Sequence, residues 1–267
     1  MTPLERQRLA ACAVWRLDAD SRDAGAWSDL GGLQLHATGL PLVFWNGAHL
    51  MVREGLAHLP AAAAWFRGRN LPWGLLIPAE LDVEPPGGSW VTDQPVMLRD
   101  LSDLPPVSDV PMRWDAPGDA AAVQAVGFDT PPDLARDFVL PKTRGAACSL
   151  VVAYAGDVPA ATATLVRVDS VAAVFGVATL PENRRRGLGR AVTLAVLHAA
   201  AEEGCDLAYL NPSPMAHGVY SALGFADAPP WRVWSVADPL AHGEVGPEAD
   251  REDGPPEELR QGSRPGR

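Results

Sequence analysis

Cysteine is scarce in this chain of 267 residues, and nothing organises it. Cys12, Cys148 and Cys205 are an odd number, lie far apart, and form neither a C-x-x-C pair nor a histidine-linked spacing that suits zinc. That excludes a disulfide framework, predicts no metal site, and leaves reduced core thiols in a reducing compartment. Long apolar runs are also missing. No uncharged stretch reaches the length of a bilayer crossing. Residues 1–20 alternate charged and apolar positions where a secretory segment would be continuously apolar. The expectation is a cytoplasmic protein with no membrane partner. Positive charge is the third shortage: Lys and Arg number 22 against 33 Asp and Glu, for a formal net charge of −11. Binding nucleic acid needs a basic face to neutralise phosphates, so nucleic acid is excluded as a partner. The acidic balance suits small cationic substrates and equally serves solubility. What is present, 47% hydrophobic and 21% charged residues, is ordinary globular composition with length for one large or two modest domains.

Taken in order, residues 2–19 read as an amphipathic helix with Leu9, Val14 and Leu17 on its buried side. A loop around residues 24–32 precedes two strand-like runs, 33–37 and 42–50. Residues 54–67 predict a helix closed by Gly68 and Asn70 as left-handed C-terminal residues. The run LPWGLLIPAEL holds a strand, DVEPPGGS breaks regular structure, and residues 90–98 form a last apolar piece before a linker, LSDLPPVSDVP. Six of the nine tryptophans (Trp15, Trp27, Trp45, Trp65, Trp73, Trp90) fall in this part. At such spacings they read first as core or interface, and second as the lining of a groove. His36, His49 and His58 match no metal spacing and read as satisfied structural histidines.

From Pro111 the pattern is more regular. Residues 112–114 are a strand, residues 117–126 a helix with Asp115 as N-cap and Pro117 in its first turn, and residues 132–138 a second helix. Three strands follow at 146–155, 158–168 and 171–179, joined by Gly156–Asp157 and Asp169–Ser170, links short enough for antiparallel hairpins. A helix over 187–203, a strand over 206–210, a helix over 215–223 and an extended stretch over 225–236 complete it. The layout is α+β (mixed α/β) around one central sheet. Beyond residue 238 the chain is rich in Pro, Gly and Glu with almost no large apolar residue, and reads as disordered.

The chemistry concentrates between the strand 171–179 and the helix that follows, in Arg184-Arg185-Arg186-Gly187-Leu188-Gly189-Arg190. A helix start exposes unpaired N–H groups and carries about half a positive charge, so a glycine turn placed there is an anion site. A P-loop would need G-K-[ST], and Arg190 stands after Gly189. A dinucleotide fingerprint would need a third glycine or alanine where Val192 stands, and a first parallel strand where hairpins are read. The R-x-x-G-x-G loop, the upstream V-A-T-L-P-E and the downstream Tyr220-Ser-Ala-Leu-Gly-Phe225 together resemble the GNAT superfamily of acetyl-CoA-dependent N-acetyltransferases, over roughly residues 108–237.

The resemblance implies a mostly antiparallel central sheet flanked by helices, with acetyl-CoA as co-substrate. It implies backbone contacts from Val177, Ala178 and Thr179 to the pantetheine arm. The pyrophosphate is expected over Arg184, Arg185, Arg186, Gly187, Leu188, Gly189 and Arg190. The strand ending near Asn211 is expected to splay away, with Asn211 and Ser213 at the mouth to contact cofactor or order water; Ser213 reads equally as a helix cap. Tyr220 stands where the family has its general acid, and a backbone amide of the strand 171–179 would polarise the thioester carbonyl. One departure stands out: many relatives carry a glutamate on that strand, and VAAVFGVAT has no acid. No base is assigned. A water chain on Asn211 or Ser213, or an acid from another loop, would have to serve; His217 and His198 read as surface and structural.

The division expected is an N-terminal α/β domain over 1–107, the GNAT domain over 108–238 and the tail over 239–267. Helix 54–67, Gly68, strand and Pro78 echo the helix, Gly204, strand and Pro212 of the second part, so the first is read as a degenerate GNAT-like unit or an unrelated α/β cap. Without the loop or the tyrosine motif it is not expected to bind CoA. It is expected to wall the acceptor pocket with its tryptophans. The function expected is acetyl transfer to a primary amine on a small molecule or peptide; the rival is a non-catalytic acyl-CoA-binding sensor or interaction protein. The acceptor itself stays open, as does the oligomeric state.

Overall fold

The computed structural model describes residues 1–236, and the expected disordered tail lies outside them. Helix α1 (Pro3–Asp20) starts on a capping box: Thr2 Oγ1 accepts from the Glu5 N–H at 3.2 Å, and Glu5 accepts from the Thr2 N–H at 2.7 Å. Strands β1 (Ala26–Asp29), β2 (Leu33–Ala37) and β3 (Asn46–Leu50) form a meander, then helix α2 (Leu59–Arg67) leads to β4 (Gly74–Pro78) and the long β5 (Gly88–Asp100). The second half runs β6 (Met112–Trp114), α3 (Pro117–Gly127), α4 (Pro132–Lys142), β7 (Cys148–Ala155), β8 (Val158–Val168), β9 (Val171–Thr179), α5 (Leu188–Glu202), β10 (Leu207–Leu210), α6 (His217–Ala222) and β11 (Ala226–Val236). The fold is α+β: one mostly antiparallel sheet of eleven described strands with helices on its faces.

The strand order is β1-β2-β3-β4-β11-β5-β10-β9-β8-β7-β6. Its centre is an exchange. β5, from the first half, pairs with β10 of the second, while β11, from the second half, pairs with β4 of the first. β5 and β11 then pair antiparallel with each other from Ala226↔Leu98 to Val236↔Gly88. Each half contains a parallel pair bridged by a helix, β3 with β4 through α2 and β9 with β10 through α5. Helix α2 buries Ala62 and Phe66 on Leu35, Ala48, Leu75 and Ile77, together with Trp234 from β11. Helix α5 buries Val192, Leu194 and Val196 on Val151, Ala163 and Val174. Each such side chain taken fully from water contributes about 1.5–3 kcal/mol. Helix α1 crosses over and packs Ala10, Ala11 and Val14 on Val166, Val171 and Ala173 of the second half.

Several expectations are corrected. In α1, Leu9 and Leu17 are 47% and 41% exposed, and Arg8 is buried in their place. The alanine face lets the helix sit close to the sheet. Arg8 is compensated there by both oxygens of Glu80 at 2.9 Å, the carbonyls of Pro229 and Pro230, and the Trp231 ring at 4.4 Å. The helix expected at 54–67 divides into a 3-10 turn, Arg53–His58, and α2, because Pro60 has no N–H to donate backward. Asn70 is left-handed at φ 53°, but Gly68 keeps a right-handed φ of −60°. Residues 43–45 are a 3-10 turn leading into β3, and the loop expected at 24–32 contains β1. Asp115 does not cap α3: it sits at φ 55° and donates its N–H to the Leu150 carbonyl at 2.9 Å, which leaves Ala116 as the cap.

The histidines are not all satisfied. His36 is buried with neither ring nitrogen hydrogen-bonded, held by stacking on Trp15 at 4.6 Å and by His49 at 5.1 Å. Burial, then the neighbouring His49, holds its pKa well below the ordinary value. Burial, then Arg8, lowers His49 to about 3. Both are neutral core rings. His58 is exposed.

Candidate functional site

The site forms where β9 and β10 part. Their parallel pairing covers only Leu207↔Val171, Ala208↔Ala172 and Tyr209↔Ala173, although β9 continues to Thr179. Past that point β10 turns toward β5: the Asn211 side chain donates to the Pro95 carbonyl at 2.7 Å. Against β8, β9 carries a bulge. Thr164 faces Phe175 and Thr162 faces Ala178, so Gly176 and Val177 together oppose Ala163. A bulge leaves a backbone group unpaired and re-aims the strand. Gly176 is required here: its φ is +57°, and a Cβ would stand 2.5 Å from the Gln124 side chain of α3.

Beyond β9 the loop is tied down by its own side chains. Arg184 Nε donates to the Thr179 carbonyl at 3.3 Å, and Arg186 donates to the buried Asn183 at 3.0 Å. Arg185 at φ 60° and Gly187 at φ 81° are left-handed on either side of Arg186, a backbone shape that gathers N–H groups into an anion-binding concavity. Helix α5 has no side-chain cap, and Ala191, bonding back to Gly187 at 2.9 Å, is its first satisfied donor. The two glycines act differently. A Cβ on Gly187 would meet open space, so that position needs its dihedral; one on Gly189 would meet Thr179 Oγ1 at 3.1 Å, so that position needs the room. The guanidinium of Arg186 and the Nε of Arg184 are engaged within the loop, while Arg185 is exposed.

Tyr220 is 6% exposed in α6, edge-on to Phe225 at 5.9 Å, and burial pushes its hydroxyl up to about 12. A phenol at that value keeps its proton near neutrality, which suits an acid and not a base. Ser213 is exposed, and its side chain does not cap α6. Its carbonyl accepts from Ala216 and His217 instead. His217 faces Asp227 at 2.8 Å on the surface, and His198 meets the Pro105 carbonyl at 2.9 Å. Among the described residues no group of three His, Cys, Asp or Glu is placed to hold a metal ion, and no helix is long and apolar enough to cross a membrane.

A cavity of about 270 Å³ opens on the side of the sheet covered by α1, α3 and α4. Gly176, Gln124 and Asn211 bring it to the bulge, while Trp15, Trp45, Phe138 and Phe175 make it aromatic. Trp45 of the first half stacks on Phe138 of the second at 4.3 Å. Of the first-half tryptophans only Trp15 and Trp45 line it; Trp73 is core, and Trp27 and Trp90 are 44% and 58% exposed. Sequence reasoning missed its charged wall. Asp18, 3% exposed, takes two bonds from Arg22 at 3.1 and 3.2 Å, and Lys142 stands beside it. The Asp18–Arg22 spacing at the end of α1 was the available signal.

Residues 119–225 match the family model described as Acetyltransferase (GNAT) family. No curated protein matches the chain. Among solved structures it is similar to a GCN5-related N-acetyltransferase from Kribbella flavida, at 21% identity and a TM-score of 0.62, over 84% of this chain and 93% of that one. It is also similar to a GCN5-related N-acetyltransferase from Sphaerobacter thermophilus, at 16% identity and a TM-score of 0.56, over 80% and 84%. A tandem GNAT protein from the clavulanic acid biosynthesis pathway aligns at 16% identity and a TM-score of 0.55, over 83% and 89%. At these identities the likeness is one of fold.

Proposed function

We propose, from the match of residues 119–225 to the GNAT acetyltransferase family model, that the protein moves an acetyl group from acetyl-CoA directly to a primary amine on a small molecule or peptide. One observation carries the reading: β9 holds the bulge at Gly176–Val177 that borders the aromatic cavity, and its last residue, Thr179, lies against Gly189 at the uncapped start of α5. Pyrophosphate would lie on the N–H groups of residues 185–190, with Arg185 and Arg190 as cations. The pantetheine arm would follow Val177, Ala178 and Thr179 into the opening that β10 leaves. A bulge N–H would donate to the thioester oxygen, where negative charge grows as the amine attacks. Tyr220, held protonated by burial, would give its proton to the departing thiolate. Asn211 and Gln124 border the cavity beside the bulge and would orient the amine or a water that relays its proton.

The first 107 residues fit this reading as a second, degenerate unit of the same kind, since β3–α2–β4 repeats the topology of β9–α5–β10. Its helix start is not an anion site: the turn before α2 is closed by 3-10 bonds, and Arg53 donates to the Leu81 carbonyl at 3.1 Å. The rival, a non-catalytic acyl-CoA sensor, draws on one observation: Asp18, the carboxylate lining the cavity, is committed to Arg22. Calorimetry with CoA, followed by acetylation of an amine panel, separates them. Turnover supports the enzyme, binding without turnover supports the sensor, and absence of binding removes both.

A further inference from the structure

The cavity holds a charge imbalance that the residues around it do not settle. Lys142 is the only lysine among the 267 residues, and it lines this cavity with its side chain 13% exposed. Its ammonium is 3.9 Å from Asp18 Oδ1, outside hydrogen-bond reach, and lies 3.1 Å from the centre of the Phe138 ring. That carboxylate is already filled by Arg22, whose remaining donors go to the carbonyls of Asp137 and Phe138. Two cations therefore face one anion, inside walls of Trp15, Trp45 and Phe138. A largely shielded ammonium that reaches its carboxylate only at 3.9 Å is short of a hydrogen-bond acceptor among the described residues, and a ligand that supplies one gains what the protein lacks.

We propose that Lys142 is the anchor for a carboxylate on the acceptor, so that the substrate is a small amine with one carboxylate on an aromatic or branched apolar skeleton. The inference rests on the acyltransferase reading and narrows it. The surplus of one positive charge matches a monoanion better than a phosphate dianion, and it disfavours polycationic amines despite the net charge of −11. A volume of about 270 Å³ falls just under the range of drug-sized pockets, in keeping with a molecule of amino-acid size. Burial lowers Lys142 to about 8, with Asp18 opposing, so the side chain still carries charge at neutral pH.

The test compares L-phenylalanine, L-leucine and para-(aminomethyl)benzoate with phenethylamine, isoamylamine and benzylamine, and includes spermidine. For each acid kcat/KM should exceed that of its counterpart without the carboxylate by about 10-fold or more, the scale of one charge-assisted contact. Lys142→Met should erase that ratio, and Lys142→Arg should keep it. Equal use of the acid and of the amine without the carboxylate, a ratio that survives in Lys142→Met, or preference for spermidine overturns the inference. So does acetylation of Lys142 itself, which mass spectrometry would locate at the single lysine. If acetyl-CoA binds by calorimetry yet no acid binds or reacts, this inference alone is lost. If acetyl-CoA does not bind, the acyltransferase reading falls first.

Discussion

Both halves of the sheet contain a parallel strand pair bridged by a helix, and they differ where that helix begins. Neither helix has a side-chain cap; before α5 two left-handed residues leave donors open, and before α2 a 3-10 turn and Pro60 close them. The N-terminal half shares the framework and lacks the open donors. What it supplies instead is wall and frame: Trp15, Leu17, Asp18 and Trp45 in the cavity, and β5 between β10 and β11. Topology alone thus does not make a cofactor site. In the proposed site a few backbone donors at one helix start would do so.

The severest way to break that comparison is to remove one half. A chain lacking residues 1–107 loses β5, exposes the edges of β10 and β11, and uncovers the face under α1, so it should be insoluble or molten; a soluble, active fragment would show the halves to be independent. Next in size is Gly187→Glu, which places a negative side chain at φ 81° on the proposed pyrophosphate site. CoA affinity should fall by about 100-fold in calorimetry, whereas Arg53→Glu, at the matching place in the first half, should leave it unchanged. Tyr220→Phe should lower kcat by about 10- to 100-fold with little change in acetyl-CoA affinity, seen by steady-state kinetics beside calorimetry.

The smallest effect concerns pH and belongs to the first half. His49 is neutral in the core with a pKa lowered to about 3, and His36 is lowered too. Between about 3 and the ordinary 6.5 the unfolded chain binds more protons than the folded one, so stability rises with pH across that window. It is fully present above about 6.5 and is lost as pH falls toward about 3. Urea melts from neutrality downward should show this, and the pair His36→Phe with His49→Leu should flatten it. An unchanged slope would mean that neither ring is protonated on unfolding.

The C-terminal unit was largely legible because its signals are local. Gly156 and Asp169 mark hairpins, the strands between them are nearly continuous apolar runs, and the glycine–arginine loop announces its helix. The first half was harder to read. Leu9 and Leu17 follow helical periodicity, yet Arg8 is buried because Glu80 and two proline carbonyls, distant in sequence, compensate it. Of the cavity's charged wall only the Asp18–Arg22 spacing could be read, since α1 and α4, which brings Lys142, meet only in the folded chain. The exchange of β5 and β11 leaves no mark in either strand's composition.

That exchange bears on how the protein is made. β4 emerges from the ribosome with its final neighbour, β11, still some hundred and fifty residues away by the register Leu75↔Trp234. The early half therefore waits, with one sheet edge open, until the last strand has been synthesised. Its relative contact order is raised accordingly, and a slow, late, concerted closure is the expected course. Nascent chains stalled before Ala226 should remain accessible to proteases across both halves at once.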